Sequence, residues 1–134
     1  MDIISKPWGS YINIYKDSEN KYLVKKIIVK PKQRLSLQTH NFRSEHWTVV
    51  SGKALVQIGE DELYLTLNQS CFIPKKTMHR MGNTSETEDL IIIETQIGNH
   101  ISEDDIIRHQ DDYKRSADTD NNDLELRRCP CSGI

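Results

Sequence analysis

Apolar and polar residues alternate along much of the first hundred positions and do not recur every three or four. That period-two pattern predicts strands with one buried face, not helices. Residues 11–15 alternate, residues 22–30 form a longer run stopped by Pro31, and residues 35–40, 47–50 and 54–58 follow. Gly59-Glu60-Asp61-Glu62 reads as a hairpin turn into residues 63–67, and Asn68-Gln69 turns the chain into residues 71–73, ended by Pro74. Residues 90–97 are the most apolar run. Many short strands with frequent turns define an all-β sandwich or barrel.

Beyond Gly98 the pattern changes. Ser102-Glu103-Asp104-Asp105 has the form of a helix N-cap with an acidic first turn, and predicts a short C-terminal helix. Residues 116–134 are polar and acidic, with too little apolar surface to order themselves, and are expected to be a disordered tail. The division is one ordered domain over residues 1–115 and a tail over 116–134. A chain of 134 residues has room for one domain with a core of its own.

Charge narrows the function. Eighteen basic against 20 acidic residues give a net charge of −2, which argues against nucleic acid as a partner. No apolar run is long enough to span a bilayer, and the N-terminus has no signal-peptide pattern, so the expected location is the cytoplasm. Three cysteines, two of them crowded at Cys129 and Cys131, do not make a disulfide framework.

The chemistry concentrates at residues 36–47 and 74–79. Gln38 and His40 are two apart and share a strand face. Glu45 opens the next strand after a short connection, and His79 follows a turn that starts at Pro74. One amide, two imidazoles and a carboxylate make an open site for a borderline divalent ion such as zinc. Spacing alone leaves a second reading, in which these are ordinary polar residues on a solvent face. Ile92, Glu94 and Gln96 share one face of the last strand, and Lys25 alternates with Leu23 and Ile27. Either residue could serve chemistry, as base, proton carrier or phosphate anchor. Each could equally be a polar side chain at the surface.

Gln38-x-His40-x4-Glu45-x6-Gly52 resembles the first motif of the cupins, with glutamine at its first histidine. Pro74-x4-His79-x3-Asn83 resembles the second, with Lys76 where glycine is usual. Lys6-Pro7-Trp8-Gly9, Arg43-Ser44-Glu45-His46-Trp47 and Glu103-Asp104-Asp105-Ile106-Ile107-Arg108 are similar to one family, the type II mannose-6-phosphate isomerases, over residues 6–115. The resemblance implies a cupin-type jelly-roll barrel and a metal held by Gln38, His40, Glu45 and His79, most simply Zn2+. It implies an aldose–ketose isomerase interconverting mannose 6-phosphate and fructose 6-phosphate. Glu94 and Lys25 are then the catalytic candidates, and Arg43, Arg108 and Arg115 the candidates for the substrate phosphate. Alternatives on the same scaffold are a nucleotide-sugar epimerase or ketoisomerase and a non-catalytic sugar-binding cupin. In that family the barrel is commonly joined to a guanylyltransferase domain with a Gly-rich phosphate loop. No such loop occurs here, so a free-standing barrel is expected, with a small sugar phosphate as partner and a homodimer left open.

Overall fold

The computed structural model describes residues 1–114; the expected tail, Arg115 and the two C-terminal cysteines lie outside the described residues. Two antiparallel sheets face each other. The first runs in the order β1 (Ile3–Lys6), β2 (Gly9–Lys16), β3 (Tyr22–Val29), β10 (Leu90–Gly98), β5 (Arg43–Ser51), β8 (Ser70–Ile73). The second runs β11 (Ile107–Gln110), β4 (Leu37–Thr39), β9 (His79–Asn83), β6 (Ala54–Ile58), β7 (Asp61–Leu65). No helix occurs among the described residues, so none is long and apolar enough to cross a membrane.

Strand alternation builds the interior. Leu23, Lys25, Ile27 and Val29 of β3 point inward, as do Leu90, Ile92, Glu94 and Gln96 of β10 and Arg43, Glu45, Trp47 and Val49 of β5. One end of the interior is apolar, with Val29, Val49, Val56, Met81, Leu90 and Ile92 fully buried. The other end carries the buried charges Lys25, His40, Arg43, Glu45, His79 and Glu94. Burying ionisable groups costs free energy unless they are paired or bind an ion. Their gathering at one end therefore marks a site. At Gly9, where φ is 155°, a Cβ would fall 2.0 Å from the Ile28 carbonyl oxygen, so only glycine lets β2 start this close to β3.

The expected C-terminal helix is not formed. Ser102 does cap a turn: its hydroxyl accepts the Asp104 amide at 3.1 Å and its carbonyl accepts the Asp105 amide at 3.1 Å. The turn stops there because the Asp105 carboxylate is bound elsewhere and Ile107–Gln110 pairs with the free edge of β4 as β11. Residues 101–112 thus form a strap across the barrel. Its far end is fastened by Arg34, whose Nε and Nη2 donate to the two Asp112 carboxylate oxygens at 2.7 and 2.9 Å. Arg80 adds bonds to Gln110 Oε1 and to the Leu35 carbonyl, at 3.1 and 2.9 Å.

Candidate metal centre and cavity

His40 follows directly on β4, Glu45 lies in β5 and His79 begins β9, so both sheets bring residues to the cluster. One ligand atom from each falls within 4.8 Å of the others, and all three residues are buried. Register explains part of this convergence. Gln38 pairs with His79 on one side and with Arg108 on the other, which sets Arg108, Gln38 and His79 in one row across the second sheet.

Both imidazoles are oriented by backbone carbonyls. His40 Nδ1 donates to the Asp105 carbonyl at 2.7 Å, and His79 Nδ1 donates to the Thr77 carbonyl at 2.8 Å. A proton on Nδ1 leaves Nε2 of each neutral ring with a lone pair, the arrangement usual for metal-bound histidine. His40 Nε2 is 3.2 Å from Glu45 Oε2, and His79 Nε2 is 3.7 Å from Glu45 Oε1. His79 Nε2 is buried without a hydrogen-bond partner. Lone pairs converging in a buried cluster repel unless a cation sits among them, so the donor set fits a divalent ion. Imidazole and carboxylate donors suit zinc and similar borderline metals.

Electrostatics point the same way. Burial pushes the Glu45 carboxyl up, but His40 and His79 in their protonated, metal-free form, with Arg43 beside them, outweigh that and hold it well below the ordinary range. Burial holds the His79 imidazole below its ordinary value, which favours the neutral, ligating form. Glu45 is fixed by Trp47 Nε1, which donates to Oε1 at 2.9 Å, and by Arg43 Nε, which donates to Oε2 at 2.8 Å. Gln38 Nε2 donates to the Ser36 hydroxyl at 2.9 Å, and its carbonyl oxygen is the atom that could ligate.

A cavity of about 70 Å³, room for several waters or the reacting end of a small substrate, opens on this centre. Glu45, His79 and Gln38 line it, and so do Glu94, Lys25 and Arg108. Glu94 and Lys25 are cross-strand partners in register, both inward. Burial, reinforced by the charge of Glu45, pushes the Glu94 carboxyl up to about 7. Gln96 Nε2 donates to Glu94 Oε2 at 2.6 Å. Lys25 Nζ lies 4.0 Å over the Tyr11 ring and donates to Glu103 Oε2 at 2.9 Å, so the strap also fixes this lysine. Arg43, one of the arginines expected at the phosphate, directs its guanidinium to Glu45, to His40 Nε2 at 3.2 Å and to the Ser102 carbonyl at 3.1 Å. His46 faces outward against Phe72.

Several residues that shape the centre had no distinct mark in the sequence. Asp105, Ser36 and Thr77 act through backbone carbonyls or short hydroxyl contacts, which leave no spacing signature. The capping pattern at 102–105 and the similarity of residues 103–108 to a known family drew attention to that stretch, but not to its contact with His40.

A jelly-roll of two facing sheets with a His–Glu–His cluster at one end places the molecule among the cupins. The cupin domain of Schizosaccharomyces pombe Cnp3 shares this fold at 8% identity, with a TM-score of 0.66 over 73% of this chain and 69% of that one. The capsular polysaccharide assembling protein CapF of Staphylococcus aureus shares it at 20% identity, with a TM-score of 0.67 over 79% of this chain and 33% of that one. Residues 2–111 match the family described as Mannose-6-phosphate isomerase C-terminal, and the chain belongs to that family. It is 47% identical over 113 residues to the xanthan biosynthesis protein XanB of Xanthomonas campestris pv. campestris, covering 84% of this chain and 24% of that protein. It is 46% identical over 115 residues to the alginate biosynthesis protein AlgA of Pseudomonas aeruginosa, covering 86% of this chain and 23% of that one. It is 42% identical over 111 residues to mannose-1-phosphate guanylyltransferase 2 of Escherichia coli O157:H7, covering 83% and 22%. The chain therefore spans about a quarter of the length of these relatives.

Proposed function

We propose that this chain is a metal-dependent sugar-phosphate isomerase that interconverts mannose 6-phosphate and fructose 6-phosphate. The observation that carries this reading is the shared cavity: the His40–Glu45–His79 cluster and the Glu94 carboxyl, which titrates near 7, line or adjoin the same space. A carboxylate of that basicity is matched to taking a carbon-bound proton near neutral pH. Membership of a family described by this isomerase supports a hexose phosphate as substrate.

His40 and His79, through Nε2, with Glu45 and the Gln38 oxygen, hold the divalent ion, which we take to be zinc. When bound, the ion supplies Lewis-acid stabilisation of negative charge on substrate oxygens. Glu94 removes the proton at C2 of mannose 6-phosphate and returns it at C1, with an enediol between the two events. Lys25, beside Glu94 and held by Glu103, gives a proton to O1 as C2 is deprotonated and takes the O2 proton back as C1 is protonated, so that the ketone forms and the lysine is restored. Arg108, on the cavity wall, offers a guanidinium fork to the substrate phosphate.

The test is turnover. Protein, zinc and mannose 6-phosphate should yield fructose 6-phosphate, chelation should stop the reaction, and restored zinc should revive it. Zinc-loaded protein that binds the sugar phosphate without converting it would reduce this reading to a binding module.

A further inference from the structure

We propose that Asp105, which is not itself a ligand, is the positioning residue that holds His40 in its metal-binding orientation. The inference rests on the metal reading above. Three bonds carry it. The Asp105 carbonyl accepts His40 Nδ1 at 2.7 Å, Oδ1 accepts the Asn41 amide at 2.8 Å and Oδ2 accepts the Phe42 amide at 2.9 Å. One buried residue of the strap thus grips three consecutive residues of the connection between β4 and β5.

These contacts close a ring. The carboxylate, clamped by two amides, fixes where the Asp105 backbone lies, and that backbone carries the carbonyl that orients the imidazole. On its other side the His40 carbonyl accepts the Lys76 amide at 2.8 Å, from the connection leading to His79. A histidine with no partner at Nδ1 exchanges tautomers and turns about its side-chain bonds. Here Nδ1 is committed to Asp105, so Nε2 is the nitrogen turned toward Glu45. The neighbouring Glu103 fixes Lys25 from the same turn, so a single tight turn orients a ligand and a cavity lysine together.

The experiment compares wild type with Asp105→Ala, Asp105→Asn and Asp112→Asn. Asp112→Asn weakens the Arg34 anchor of the same strap but touches neither His40 nor its loop. Zinc affinity is read by chelator competition, and the His40 tautomer by 15N NMR of the metal-free protein. Asp105→Ala should weaken zinc binding roughly 10–100-fold, the range seen when a partner of a metal-bound histidine is lost. It should also move the His40 nitrogen shifts from the Nδ1-protonated pattern toward a tautomer mixture. Asp105→Asn keeps one acceptor and should fall between, which serves if the alanine variant does not fold. Asp112→Asn should lower stability and leave both readouts unchanged. Unchanged zinc affinity and tautomer in the folded Asp105 variants would overturn the positioning role. Should wild type and His79→Ala bind zinc equally, the metal reading itself fails, while the NMR comparison still decides whether Asp105 orients the ring.

Discussion

Lys25 and Glu94 sit directly opposite one another on β3 and β10, in register, with both side chains turned into the barrel. An amine and a carboxyl so placed line the same cavity, and the tasks proposed for them separate kinetically. Glu94→Gln should keep metal and substrate affinity and lose about 10²–10⁴-fold in turnover, because only the proton step needs the base. Lys25→Ala should raise KM more than it lowers kcat if it mainly holds substrate. Exchange of the C2 proton in deuterated water isolates the step: it should vanish for the Glu94 variant and persist for the Lys25 variant. The reverse pattern would make Lys25 the base.

Single ligand removals should uncouple metal from fold. His40→Ala and His79→Ala should lose zinc and isomerisation, while the apolar end around Val49, Val56 and Met81 keeps both sheets closed. Elemental analysis with circular dichroism checks this. Full zinc occupancy in both variants would refute the ligand assignment.

Glu94 also makes a stability prediction, with a defined sign. Its carboxyl titrates near 7 in the fold against an ordinary 4.5. The unfolded chain thus loses this proton at lower pH than the native one. The metal-free protein should accordingly lose stability as pH rises from about 4.5 through 7, by at most about 3 kcal/mol from this group. Glu94→Gln removes that slope. Urea unfolding with chelator present should show the variant gaining on wild type at pH 8 and matching it more closely at pH 5. A difference that does not change with pH would mean that Glu94 is not the buried acid described.

A close backbone approach gives a prediction independent of chemistry. A Cβ on Gly98 would lie 2.1 Å from the Phe42 carbonyl oxygen and 2.9 Å from the Arg43 Cα. Gly98→Ala should force β10 away from the start of β5 and cost about 1–3 kcal/mol. The midpoint of chemical denaturation reads this directly, and an unchanged midpoint would show that the strands can part there at no cost.

Where alternation was strong, the sequence was legible. Period two groups Lys25 with Leu23 and Ile27, and Glu94 with Ile92 and Gln96, and the structure turns both faces inward; residues 54–58 coincide with β6. β9 was not legible, because His79-Arg80-Met81-Gly82-Asn83 alternates in no way. Every residue of it is buried, since Arg80 and Asn83 satisfy themselves on backbone carbonyls of other segments. The strap misled for a related reason. Its capping signal is real but closes one turn only, and a distant pair of amides, those of Asn41 and Phe42, decides the use of Asp105. Residue types near 38–45 and 79 pointed to a metal, but orientation by the Asp105 and Thr77 carbonyls is a tertiary fact.

The strap has a consequence in time as well as in space. Gln38, His40, Glu45, His79 and Glu94 all precede it in the chain, yet Asp105 and Glu103 reach back across more than fifty residues to their partners. Loop closure must be overcome before contacts of such sequence separation form. During synthesis both sheets can begin to pair before the turn at 102–105 has emerged, with the His40 ring still unheld. Metal affinity should therefore appear behind the burial of Trp47, and tight zinc binding would report that the turn at 102–105 has reached its place.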